Sequence, residues 1–309
     1  MSLSPYALSI VEPVLLTDAL LVSSNIAEND YPQWDEATTY ALGDRVIVLA
    51  THRIYESLTG GNAGNAPPGS PEEWLDIGPT NRWKAWDAVN NTRTVTDGGE
   101  SPSIKYVIQL DQAVTSVAAL NVTGATAVNV TLEHPEYGTV YSKSASLSAV
   151  PIESSWWAWF FGQRRERSQH VALDLPSFPN CELTIELVGG VDLSVGTLIF
   201  GTQKRYGLGV DYGASLGIRD YSRKETNVFG DIVLVKRAYA RWSRFSLLLS
   251  GAEVDSVERY LASIRATPRL WIWSKKYEAS VVYGFYKNFE ILISYPENSD
   301  CQLEIEGLI

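Results

Sequence analysis

The sequence predicts a mainly β protein: a small aromatic-rich β-module, a β-sandwich or jelly-roll body, and a C-terminal β domain with one α-helix. Short runs such as SIKYVIQL, SVAALNVTG, AVNVTLEH and CELTIELVG are rich in β-branched residues, alternate roughly, and are spaced by Gly, Pro, Asn and Asp, as strands and their turns are. The chain also carries 10 Trp and 16 Tyr, side chains that suit pleated, half-buried surfaces. A clear helical period occurs near 252–265, where Val254, Val257, Leu261 and Ile264 share one face.

A length of 309 residues exceeds one ordinary domain. Residues 1–30 read as an N-terminal docking arm, because Val11, Val14, Leu15, Leu16, Leu20 and Leu21 are too apolar for a free tail. The arm is expected to dock on its own body or on a neighbouring subunit. Residues 31–79 form the aromatic module, with a Gly, Asn and Pro-rich surface loop before Trp74 and an exit at Gly78-Pro79. Residues 80–200 carry the sandwich pattern and 201–309 the last domain. Within the latter, residues 201–230 hold many glycines and charges with no period, so they read as a long loop of the kind found in interfaces. The loop's candidate interface residues are Arg219, Asp220, Arg223, Lys224 and Glu225, which sit close together in mixed sign. Arm and loop are both expected to be ordered mainly by contacts between subunits. At the helix, Ser250 and Glu253 have capping-box spacing and Pro268 follows as a stop. The similar stretches NCELTIEL and DCQLEIEGL are expected to be two strands in like environments rather than a repeat.

The net charge of −11 argues against nucleic acid as a partner, since phosphate binding needs a basic face. Cys181 and Cys301 are expected as free, buried thiols. The N-terminal stretch lacks a basic n-region, and Pro, Glu12 and Asp18 interrupt its apolar run, so neither a signal peptide nor a membrane span is expected.

Catalytic patterns are weak. His52, His134 and His170 sit in unrelated contexts, and no phosphate-binding Gly-Lys-Ser/Thr is present. A glycosidase needs only two carboxylates, and Asp35, Glu36, Glu72 and Glu73 beside aromatic residues are the first to inspect. No spacing matches a metal-ligand pattern, so no metal and no cofactor are expected. The stretch SSWWAWFFGQRRER places Trp157, Trp159 and Phe161 on one strand face and Trp156 and Phe160 on the other, as a strand buried on both sides by body and partner would have it, with a sugar platform as the alternative.

Trp34, Tyr40, Gly43, Asp44, Val46, Tyr55, Pro67 and Trp74 stand in the order and spacing of a known module type. The stretch resembles the small carbohydrate-binding modules attached to many chitinases and cellulases. The resemblance implies sugar stacking by whichever of Trp34, Tyr40, Tyr55 and Trp74 are exposed. It departs from the family just after the second Tyr, where sugar-stacking aromatics are replaced by Glu56, Ser57 and Leu58.

Further on, GPTNRWKAWD, GIRDYSRKETNVFGD and the terminal LEIEGL look like a family of tail proteins from long-tailed bacteriophages and prophages. This resemblance runs from about Tyr31 to Ile309. It implies a minor structural component of the tail tip or baseplate, assembled in the host cytoplasm into the virion. Its partners would be other tail proteins, including copies of itself as a trimer or hexamer, and a bacterial surface glycan bound through the 31–79 module. Two alternatives stay open: a glycan-degrading enzyme or its accessory domain, and a purely structural protein with an inert module.

Overall fold

The computed structural model of the chain describes residues 7–89, 92–96, 102–149, 165–226, 230–274 and 276–308. It is mainly β, built from curled antiparallel sheets with a single α-helix among the described residues. Two large sheets form the body. The larger runs in the order Gln169–Ala172, Ser116–Leu120, Thr197–Tyr206, Leu8–Pro13, Arg269–Ile272, Val281–Leu292, Asn298–Gly307, Tyr239–Ser250 and Gly209–Val210. Ser215–Asp220 also pairs with Tyr239–Ser250. The smaller runs Gly138–Ser146, Thr123–His134, Glu182–Val195, Ser103–Gln109 and Leu21–Ser24, with Thr94–Val95 on Glu182–Val195.

One face of the larger sheet is covered in two halves. Val117, Ala119, Leu198 and Phe200 pack against Ile104, Tyr106, Ile108, Val130, Leu183 and Ile185 of the smaller sheet, which makes the sandwich. The other half, with Leu8, Ile10, Phe245, Leu247, Trp271 and Leu303, is covered by the helix Val254–Ser263 through Val257, Tyr260, Leu261 and Ile264. Removing each such aliphatic side chain from water contributes about 2 kcal/mol. The helix therefore stands where a second sheet would otherwise be needed.

The strand Leu8–Pro13 joins these halves, pairing with Thr197–Tyr206 on one edge and Arg269–Ile272 on the other. Inter-subunit ordering, expected for the arm, does not describe this segment. Its alternation places Leu8 and Ile10 in one core cluster and Val11 in another, so its own chain buries it on both faces. The loop expected over 201–230 is likewise largely paired backbone: the strand Thr197–Tyr206, then Gly209–Val210, Ser215–Asp220 and Arg223–Thr226. Gly207 and Gly213 serve turns between these short strands, where φ values of +78° and +108° favour glycine.

Glu182–Val195 and Asn298–Gly307 are both interior strands with alternating burial. Cys181, just before the first, and Cys301, within the second, are free and buried in separate clusters, so no disulfide links them. Burial pushes the Cys301 thiol up to about 11. The aromatic cluster Trp156, Trp157, Trp159, Phe160 and Phe161 lies outside the described residues.

Candidate functional site

The 31–79 module is a three-stranded sheet, Arg45–Val48, Arg53–Ser57 and Trp74–Pro79, beside the short pair Thr39–Tyr40 and Asn62–Ala63. Its core is Tyr40, Val46, Tyr55 and Trp74, all buried, with Trp34 and Val48 partly buried against them. Tyr40 meets Trp74 edge-on at 5.2 Å between ring centres. Trp74 Nε1–H donates to Asn65 O (2.9 Å), and the Tyr40 hydroxyl accepts from Asp35 N–H (2.8 Å). Rings held this way fill a core too small to close with aliphatics alone. Of the four aromatic candidates, Trp34 is the one with accessible ring surface.

The carboxylates singled out for hydrolysis are solvated, except for half-buried Glu73. Asp35 Oδ1 accepts from Ala37 N–H (2.9 Å), which makes it a turn former. The histidines are dispersed. His134 stacks on Tyr137, His170 lies in the strand Gln169–Ala172, and His52 lies between Asp18 and Glu28 and stacks on Trp83. Among the described residues, no group of three His, Cys, Asp or Glu could hold a metal ion, and no helix is long and apolar enough to cross a membrane.

Of the charged candidates, Arg223, Lys224 and Glu225 lie on a two-stranded ribbon that continues the larger sheet outward, and Arg219 and Asp220 lie on the strand at its base. Arg223–Thr226 pairs with Ile232–Val235, and its base connects to Ser215–Asp220 and Tyr239–Ser250. Arg219 pairs with Glu306, Lys224 with Asp220 at 2.8 Å, and Arg223 with Glu225. The bond from Lys224 holds Asp220 well below the usual carboxylate range. All five candidates thus have ionic partners within their own chain.

The ribbon's unusual feature is aliphatic. Ile232, Val233, Leu234 and Val235 are 71%, 48%, 69% and 44% exposed. By register, Val233 and Val235 share one face with Arg223 and Glu225, while Ile232 and Leu234 share the other with Lys224 and Thr226. A run of four consecutive aliphatics is the pattern of a strand covered on both faces, yet here both faces meet solvent. In DIVLVKR the charged neighbours mask this strand, and the unbroken aliphatic run is the signal that marks it.

A cavity of about 630 Å³ opens at the ribbon's base, lined in part by Arg93, Lys236, Arg237 and Arg241 beside Tyr239 and Tyr283. Among the described residues no Asp or Glu lines it, although the chain is acidic overall. Arg93 donates to neutral acceptors, Thr123 Oγ1 (2.7 Å) and Asn121 Oδ1 (2.8 Å), and Arg241 to Gln169 Oε1 (3.3 Å). The arrangement can take apolar side chains on the ribbon and carboxylates at its base. It brings no nucleophile, base and orienting group together.

The fold and this surface define a mainly β chain with an outward ribbon and a small aromatic module. No protein-family model, curated protein or solved structure matches the chain.

Proposed function

We propose that the protein is an assembly subunit, a structural component of a bacteriophage tail tip or baseplate. The observation that carries the reading is the strand Ile232–Val235, aliphatic at every position and exposed on both faces. An isolated two-stranded ribbon is marginal in water. Four exposed aliphatics on one strand are stabilised only when something covers them. The tail-protein resemblance of GIRDYSRKETNVFGD, which runs into this ribbon, supplies the kind of particle.

Within that role, adhesion to a host-surface glycan through the 31–79 module rests on Trp34, whose ring is only partly covered. Several copies in one particle would combine weak single sites through avidity.

The test is the composition of purified phage particles made with the wild-type chain and with Leu234→Glu. The reading expects the wild-type chain in the tail fraction and the variant folded but left out. Equal incorporation of both, or absence of the wild-type chain from tails, would defeat it.

A further inference from the structure

We propose that the basic, aliphatic ribbon end of one copy docks onto an acidic, apolar turn at the far end of the same sheet in a second copy, head to tail. This rests on the assembly reading and names the partner for the surface described above.

The second surface is the turn between Val281–Leu292 and Asn298–Gly307. Leu292, Ile293 and Tyr295 are all exposed there, Ile293 at 73%. Glu290, Glu297 and Asp300 lie in or beside this turn, and Glu253, Asp255 and Glu258 lie at the adjoining start of the helix, where the one cation, Arg259, donates from Nε–H to Asp255 O (3.1 Å). Gly251 N–H donates to Glu297 O (2.8 Å), which ties the helix entry to the turn. Residues 288–300 contain no Lys or Arg, and none of these carboxylates is ion-paired among the described residues. At the other end, Lys236 and Arg237 also lack a carboxylate partner among the described residues. One apolar patch is thus edged by spare negative charge and the other by spare positive charge.

Topology keeps the two apart within one chain. Asp220 pairs with Tyr239 at one end of the strand Tyr239–Ser250, and Asn298 pairs with Ser250 at the other. At about 3.3 Å per residue, that strand holds its ends roughly 36 Å apart. The ribbon continues beyond the Tyr239 end and the acidic turn beyond the Ser250 end. The surfaces can therefore satisfy one another only between copies. Such a contact is heterologous, and it closes into a ring when its rotation permits. Carboxylates facing Lys236 and Arg237 would set register and encounter rate, while covered aliphatics would supply the affinity.

The experiment uses full-length protein, light scattering after gel filtration, and two charge-reversed variants: Lys236→Glu with Arg237→Glu, and Glu290→Lys with Glu297→Lys. Wild type should self-associate, less so in 1 M salt. Each variant alone should be monomeric, because its ribbon and turn then carry like charge. Mixed together they should assemble again, since each ribbon meets an opposite turn. Hydrogen exchange on wild type provides a check that needs no variant. Protection of residues 232–237 and 290–297 should rise together with concentration.

A monomeric wild type, variants that still assemble alone, a mixture that stays monomeric, or protection confined to the ribbon would each overturn the head-to-tail contact. A chain that is monomeric alone yet enters particles leaves the assembly reading standing. A chain that forms this contact but is absent from particles does the reverse.

Discussion

Glu28 Oε1 lies 2.9 Å from Nδ1 of His52, and the same oxygen accepts from Thr80 Oγ1 at 2.8 Å. The Glu28 side chain is almost fully buried and also faces Arg82 at 3.5 Å. One carboxylate therefore connects the module, through His52, to the segment that re-enters the body, through Thr80 and Arg82. Truncating it leaves these partners facing an uncompensated gap, and hydrogen bonds to a charged group contribute about 1.5–3 kcal/mol each. Glu28→Ala should lower the stability of the whole chain by about 2 kcal/mol, read as an earlier urea midpoint. An unchanged midpoint would mean that the module is fastened by other contacts.

Deleting residues 31–79 should nonetheless leave the body folded. The module's sheet pairs only within itself, and its core of Tyr40, Val46, Tyr55 and Trp74 is separate from the others. The excision removes His52, but Glu28 keeps Thr80 and Arg82. Far-ultraviolet circular dichroism of the shortened chain checks this. A collapsed β signal would show that the body depends on the module.

Gly201 sits where a Cβ would come within 1.9 Å of Glu12 O, in the pairing that holds Leu8–Pro13 to Thr197–Tyr206. Backbone cannot give way there without parting the two halves of the larger sheet. Gly201→Ala should cost about 1–3 kcal/mol in denaturant unfolding, or more if the strand detaches. A neutral result would show that the strand can shift without loss.

These relationships mark the limits of what was legible beforehand. The alternation of Leu183, Ile185 and Leu187, and of Cys301, Leu303 and Ile305, disclosed strand and buried face together. Which strands meet was not legible, because Leu8–Pro13 pairs with segments near residues 200 and 270 and local pattern carries no such register. The helix was found by period, but its start differs from the expected box. Half of the box is present, since Ser250 N–H donates to Glu253 Oε2 at 3.5 Å, but Ser250 ends a strand and Glu253 occupies the cap without a side-chain bond to the first turn. Around 201–230, glycine density hid paired backbone. At the candidate surface, charge drew attention to residues that pair at home, while Ile232–Val235 and Lys236 passed unnoticed.

His170 gives a pH signature. Burial first, then the positive charge of Lys143 and Arg167, holds its pKa below the ordinary value, with Asp174 opposing. The unfolded chain takes up a proton as pH falls through about 6.5, while the folded chain resists. The stability present above that pH is therefore lost progressively below it, until the folded form protonates as well. Urea midpoints compared between wild type and His170→Gln should agree more closely in slope above pH 7 than between pH 6.5 and 5, where the variant should lose less. Parallel curves throughout would remove His170 as the cause.

The last prediction separates holding the module together from binding through it. Trp74 is buried, donates to Asn65 O and meets Tyr40 edge-on, whereas Trp34 is only partly covered. Trp74→Ala removes a large core side chain, which costs about 3–5 kcal/mol and exceeds what so small a core can spare. The module should then unfold locally while the body persists, with fast proteolysis confined to residues 31–79. Trp34→Ala should keep the module protected from protease. If the module binds glycan through this ring, that variant should lose retention on immobilised host polysaccharide without losing its fold. Loss of retention in Trp74→Ala alone would report an unfolded module. Full retention by a folded Trp34→Ala would remove this ring as the contact.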